Sequence, residues 1–104
     1  MQAAEAIDWD HKPTKALFDD NAPLYEWFSD GLVNTCYNAV DRHVKNGRGD
    51  QAAIIYDSPV SGTQTTTSFA ELQEKVARLA GALASKGVTK GDRVLLYMPM
   101  IPEA

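Results

Sequence analysis

Cysteine is almost missing from this sequence: Cys36 stands alone among 104 residues. One thiol can form neither an internal disulfide nor a cysteine-built metal site, and it points to a reducing, cytoplasmic setting. No run of about 18 apolar residues occurs, so no membrane-spanning helix is coded and no membrane partner is expected. The stretch Met1 to Glu5 has neither a basic n-region nor an apolar h-region, so no secretory signal is read there. Positive charge is scarce as well: ten Lys and Arg stand against fourteen Asp and Glu, for a net charge of −4. Without a basic stripe, a nucleic-acid partner is not expected. What remains is a 44% hydrophobic chain. It is too apolar for a disordered tail and too short for two independent cores.

The charge is unevenly spread. Residues 1–50 hold nine acids and five bases, whereas 51–104 hold five of each. The acidic excess belongs to residues 1–33, a weakly regular leader arm. Its large side chains, Trp9, Leu17, Phe18, Leu24, Tyr25, Trp27 and Phe28, are interrupted by Pro13, Pro23 and acids. Proline drives its predecessor out of the helical region, so only Leu24 to Phe28 reads as one helical turn. Such a segment is expected to drape its rings over other structure rather than build a core of its own.

Regular signals begin at residue 34. Residues 34–46 read as a helix capped by Asn34 or Thr35, with Tyr37, Val40 and Val44 on one face and Gly47 as its stop. Ala52 to Tyr56 suits a short buried strand. Ser58-Pro59 and Ser61-Gly62 mark turns, and Gln64 to Ser68 is a threonine-rich second strand, giving a hairpin. Ser68-Phe-Ala-Glu71 is a capping box. After it, Leu72, Val76, Leu79, Ala80 and Leu83 line one helical face, and Gly87 closes the helix. Lys90-Gly-Asp92 turns into Arg93 to Met98, an apolar run suited to a buried parallel strand, which would complete a right-handed βαβ unit. Met100 to Ala104 reads as a further helix beginning. The expected fold is α/β and incomplete: a leader arm over 1–33, then over 34–104 a hairpin and one βαβ unit of a larger domain.

Spacing alone assembles no active site. Arg48-Gly49-Asp50 is read as a helix stop and turn rather than an adhesion tripeptide. Gly47-x-Gly49-x-x-Ala52 precedes a strand, whereas a dinucleotide fingerprint must follow one. The threonines of 63–67 lack the glycines and lysine of a phosphate loop, and Ser68 is committed as a cap. Cys36 and His43 lie two helical turns apart, about 10 Å, too far for a thiolate–imidazole pair. Cys36 is instead read as a small buried hydrophobe. Asp41, Arg42 and His43 read as an exposed charged corner or as contacts to another segment. His11 has no partner at metal-ligand spacing, and Asp19-Asp20 read as a solvated turn.

The string Asn34-Thr-Cys-Tyr37-Asn38-Ala-Val-Asp41-Arg42-His43 resembles the amino-terminal region of short-chain, AMP-forming acyl-CoA synthetases. Lys90-Gly-Asp-Arg-Val-Leu-Leu-Tyr-Met-Pro-Met-Ile-Pro-Glu-Ala104 closely resembles the strand-to-helix passage of acetyl- and propionyl-CoA synthetases. Trp27 and Phe28 fit that family's leader, and Ile55-Tyr-Asp-Ser-Pro-Val60 is similar to its propionate-activating branch. The resemblance implies the start of the large domain of an adenylate-forming enzyme. It also implies a parent reaction in which ATP and a short-chain carboxylate form an acyl-adenylate, whereupon CoA displaces AMP, with Mg²⁺ assisting. The family's phosphate loop, ribose-binding aspartate, CoA-binding arginines and adenylation lysine have no counterpart in positions 1–104. The resemblance therefore assigns no catalytic, cofactor-binding or metal residue here, and the segment alone is expected to be inactive and to bind no ATP, CoA or Mg²⁺. Its partner would be the remainder of its own large domain. Two other readings stay open: a standalone interaction module anchored by Trp9, Trp27 and Phe28, and a small nucleotide binder.

Overall fold

The computed structural model describes residues 2–104. Met1, the first residue of the expected leader arm, lies outside the described residues. The chain divides into two compact units, residues 1–39 and 40–104. The α/β class expected from the sequence holds, as helices mixed with small antiparallel sheets.

The first unit is more ordered than the leader pattern suggests. A short helix α1 (Gln2–Glu5) precedes four short strands: β1 (Trp9–His11), β2 (Leu17–Phe18), β3 (Glu26–Trp27) and β4 (Leu32–Val33). β1 pairs with β4 and β2 with β3, both antiparallel. The helical turn expected at Leu24 to Phe28 is not formed; Glu26 and Trp27 pair with Phe18 and Leu17 instead. Residue-specific fastenings explain why such short strands hold. The Trp9 indole N–H donates to the Ala4 carbonyl at 2.7 Å, and the Trp9 ring lies 5.6 Å from that of Phe28. The backbone at Gly31 passes so close to Trp9 that an added Cβ would meet its Cζ3 at 2.8 Å. Thr14 donates to Asp30 Oδ2 from both its N–H (3.0 Å) and its hydroxyl (2.6 Å). The arm thus closes a small cluster of its own, around a buried Ala4.

From residue 35 the backbone is helical, but two stretches, Tyr37–Asp41 and Val44–Arg48, run in wide π-type turns rather than the expected α-helix. Asn34 caps this segment as expected, its Oδ1 accepting from the Tyr37 N–H at 2.9 Å. Within the first wide turn the Asn38 side-chain amide also donates to the Asn34 carbonyl, an insertion of the kind that loosens a helical ladder. Gly47, at φ +77°, breaks the helical path where the sequence placed the stop.

In the second unit, β5 (Ala52–Ser58) and β6 (Thr63–Ser68) form the hairpin, pairing Ile55 with Thr66 and Ser58 with Thr63. β5 is not buried as expected, and Ile55 is 78% exposed. Helix α2 (Phe69–Ser85) follows immediately. Its capping box is complete: Ser68 Oγ accepts from the Glu71 N–H, and a Glu71 carboxylate oxygen accepts from the Ser68 N–H at 2.8 Å. Gly87, at φ +88°, ends it in a Schellman pattern, with Val88 N–H donating to the Leu83 carbonyl and Gly87 N–H to that of Ala84.

Two expectations fail at the carboxyl end. Arg93 to Met98 is not hydrogen-bonded as a strand, so the βαβ unit is not closed; among the described residues β5 and β6 pair only with each other. A strand exists only against a neighbour's N–H and C=O groups, and none lies alongside this run. Ile101 to Ala104 makes a turn, with Ala104 N–H on the Ile101 carbonyl, rather than a helix start.

Replacing Ser68 by alanine leaves helix donors unpaired and should cost about 1 kcal/mol. The expected readout is a loss of 222 nm ellipticity and a lower urea midpoint. Gly31→Ala forces the Trp9 ring aside, an overpacking that typically costs about 1–3 kcal/mol. Faster hydrogen exchange of the Trp9 indole N–H, with α2 amides unchanged, is the expected result.

Candidate functional site

The polar residues of 34–48 fasten helix to neighbours rather than assemble a reaction centre. In the first unit, Asn38 makes a two-way pair with Asp8: the Asp8 N–H donates to Asn38 Oδ1, and Asn38 Nδ2 donates to the Asp8 carbonyl, both at 2.9 Å. In the second unit, Gln73 of α2 donates to Asp41 Oδ1 at 2.7 Å. Asp41 therefore contacts another segment, one of the two roles left open for it.

His43 is the centre of a stacked group. Its ring lies 4.7 Å from the Phe69 ring, Arg48 sits over the same Phe69 ring at 5.7 Å, and Arg48 Nη1 donates to His43 Nδ1 at 3.1 Å. Arg48 Nε also donates to Gln51 Oε1 at 2.8 Å. An arginine cannot accept, so His43 Nδ1 carries the lone pair and the ring proton resides on Nε2. Desolvation, then the charges of Arg48 and Arg42, hold the His43 imidazolium below its usual value of 6.5. The group is built to be neutral and to pack. With Nδ1 taken by Arg48, His43 is not poised as a general base, and the thiol of Cys36 is exposed rather than buried as expected. Arg48-Gly49-Asp50 forms the turn read from the sequence, with Gln51 N–H on the Arg48 carbonyl.

Among the described residues three carboxylates have lowered pKa values for structural reasons; one is Asp92, held down by the Thr89 N–H and hydroxyl. The Thr14 hydroxyl and N–H hold Asp30 down, and the Ser68 N–H and hydroxyl hold Glu71 down. All three are local latches. The Asp30–Thr14 latch spans sixteen residues and carries no short-range signature, so sequence reading missed it. Lys15 reaches Asp19 at 3.9 Å and Asp20 at 3.5 Å while lying over Phe18, so that acidic turn is an exposed charge pair. Among the described residues no three His, Cys, Asp or Glu side chains converge as metal ligands. The residues present do not fit a Mg²⁺ cage, and no step through that ion is derived.

The second unit holds an apolar cavity of about 370 Å³. It is lined by Ile54, Leu72, Val76, Leu79 and Met98, with Lys75 and Glu103 as its charged members. Met98 belongs to the run 93–98, along which exposure alternates. Val94, Leu96 and Met98 are 55, 63 and 52% exposed, whereas Leu95 and Tyr97 are 89 and 97% exposed. Met98 lines the cavity together with α2 residues, while Leu95 and Tyr97 face water.

Comparison with known proteins divides the chain at the boundary between its two compact units. Residues 1–39 match the family described as acetyl-coenzyme A synthetase N-terminus, and residues 40–104 match the family described as AMP-binding enzyme. The chain is 54% identical over 104 residues to a human protein named acyl-CoA synthetase short-chain family member 3, mitochondrial. It is 48% identical over 102 residues to an acetyl-coenzyme A synthetase of Cupriavidus metallidurans, and 45% over 101 residues to that of Paraburkholderia phymatum. These alignments cover 97–99% of this chain but 15% of each relative. The chain thus spans about 15% of the length of the relatives it matches.

Because the His43 value is depressed, its sign is fixed. Above pH 6.5 the ring is neutral folded or unfolded; below 6.5 the unfolded chain takes up the proton first. Stability should therefore fall as pH drops from 6.5 to the folded-state value, and then level off for this group. A proton NMR titration should give His43 a midpoint below 6.5, and Arg48→Gln should raise it.

Proposed function

The chain belongs to the AMP-binding enzyme family, and from that premise we propose that it supplies the amino-terminal region of a short-chain acyl-CoA synthetase. The parent reaction would join a carboxylate to ATP, release pyrophosphate, and pass the acyl group from AMP to CoA. One observation supports the structural part of this reading. The run 93–98 is apolar on both faces and unpaired on both edges, the make-up of a strand belonging inside a sheet covered by two layers. In the proposed role, α2 covers one face, and the remainder of the large domain supplies the neighbouring strands and the second layer. The polar fastenings at Asp41 and His43 then set the angle at which α2 meets the preceding helix.

Within short carboxylates we propose propionate, on the similarity of Ile55 to Val60 to the propionate-activating branch. The higher identity to the short-chain family member 3 proteins, 54–55%, than to the acetyl-coenzyme A synthetases, 45–48%, is consistent with a branch apart from the latter. The proposed setting is cytoplasmic, as expected from a sequence with no readable signal; the mammalian relatives carry "mitochondrial" in their names.

A second reading has a specific feature in its favour. Leu24, Tyr25 and Trp27 are 70, 57 and 67% exposed, an aromatic surface suited to docking a partner.

The test is a chimera in which this chain replaces the matching region of a short-chain acyl-CoA synthetase. Carboxylate-dependent AMP formation should survive within about tenfold, while the 104-residue chain alone forms none. A soluble, folded chimera without activity would overturn the proposal. Turnover by the chain alone would overturn the assignment of a purely structural role.

A further inference from the structure

We propose that Asn46-Gly47 is a site of spontaneous covalent modification, at which the Gly47 nitrogen closes on the Asn46 side chain and the resulting isoaspartate loosens the Arg48 stack. This does not rest on the synthetase reading; it follows from backbone geometry and side-chain chemistry within the second unit. An asparagine side chain carries its amide carbon one methylene from the backbone, within five-membered-ring reach of the next residue's nitrogen. Closure needs an unhindered nitrogen, a side chain not held elsewhere, and freedom to turn about the Asn Cα–C bond.

Four asparagines are present, and only Asn46 precedes a glycine, whose missing Cβ leaves the nitrogen open. Both residues are exposed. Asn46 (φ −86°, ψ 16°) and Gly47 (φ +77°, ψ 17°) have left the helical path, and a Cβ built on Gly47 would meet nothing within 4 Å. Among the described residues no side-chain hydrogen bond holds Asn46. The other three are hindered or held. Asn34 caps through Oδ1, and Asn38 grips Asp8 with both ends of its amide. The Ala22 nitrogen that follows Asn21 donates to the Asp19 carbonyl at 3.2 Å. Asp30-Gly31, the acid counterpart of this dipeptide, is closed as well. Thr14 keeps that carboxyl ionised and a poor electrophile, and the Gly31 N–H donates to the Phe28 carbonyl at 2.9 Å.

The chemistry balances with water as the sole co-reactant. A bond forms from Gly47 N to Asn46 Cγ, the Cγ–Nδ2 bond breaks, and Nδ2 leaves as ammonia with the proton that Gly47 N gives up. Water then opens the cyclic imide. Cleavage between Gly47 N and Cγ gives aspartate. Cleavage between Gly47 N and the main-chain carbonyl carbon of residue 46 gives isoaspartate, whose backbone runs through the former side chain. Either product adds a negative charge beside Lys45 and three residues after His43. Isoaspartate also adds a carbon to the main chain just before Arg48, whose guanidinium meets His43 Nδ1 at 3.1 Å and Gln51 Oε1 at 2.8 Å. Hydrogen bonds weaken steeply once such distances and angles are lost.

Incubation of the unmodified chain at neutral pH tests this. Ion exchange should show a growing, more acidic species, and peptide mapping should place isoaspartate and aspartate at residue 46. Asn46→Gln, which would need a six-membered ring, should slow its formation at least tenfold, and Gly47→Ala, which shields the nitrogen, should do likewise. In the purified isoaspartyl fraction the His43 midpoint in a proton NMR titration should lie above that of the fresh chain, because an acid has arrived and Arg48 has moved off. An Asn46 that stays intact in the folded chain but is modified in urea would overturn the site. Equally fast modification at Asn21, Asn34 or Asn38 would do the same. An isoaspartyl fraction with an unchanged His43 titration would overturn the loosened stack.

Discussion

The first three backbone donors of α2 hold the second unit together. A helix begins with N–H groups that have no partner inside it, and here each finds one in a different place. Phe69 donates to the Gln51 carbonyl and Ala70 to the Gly49 carbonyl, both at 3.0 Å, and Glu71 donates to the Ser68 hydroxyl. One helix end therefore ties the turn after Arg48 to the last residue of the hairpin. His43 and Arg48 both stack on Phe69, the first residue of the same helix. A Cβ at Gly49 would meet Ala70 and Val44 at ordinary contact distance, 3.6 and 3.8 Å.

What the sequence made legible was local. The capping box, the hairpin and the glycine stop at residue 87 each depend on residues a few positions apart, and each stands in the structure. The strand at 93–98 was legible as composition only, since a ladder needs a partner elsewhere. The leader failed in the opposite direction. Its strands are two or three residues long, below any periodic signal, and are held by contacts such as Trp9 on Ala4 and Thr14 on Asp30 that no spacing announces. The wide turns at 37–48 were hidden too, because apolar spacing cannot distinguish them from an α-helix over so few residues.

The string from Asn34 to His43, which first carried the family resemblance, is a set of structural contacts in the structure. Asn34 caps, Asn38 grips Asp8, Asp41 takes a bond from Gln73, and His43 stacks on Phe69. These side chains answer to backbone and ring positions that leave little tolerance. An alanine at Asn38 or Asp41 would strand a polar group on the other side. In the structure these residues join one stretch of backbone to another.

Residues 93–98 also bear on how long a chain survives. Proteases bind substrates as extended strands, adding them edge to edge before cutting. Leu95 and Tyr97, almost fully exposed on an unpaired backbone, offer that edge in the shape a protease reads. Any strand that came to lie along this run would hide the same peptide bonds from a protease.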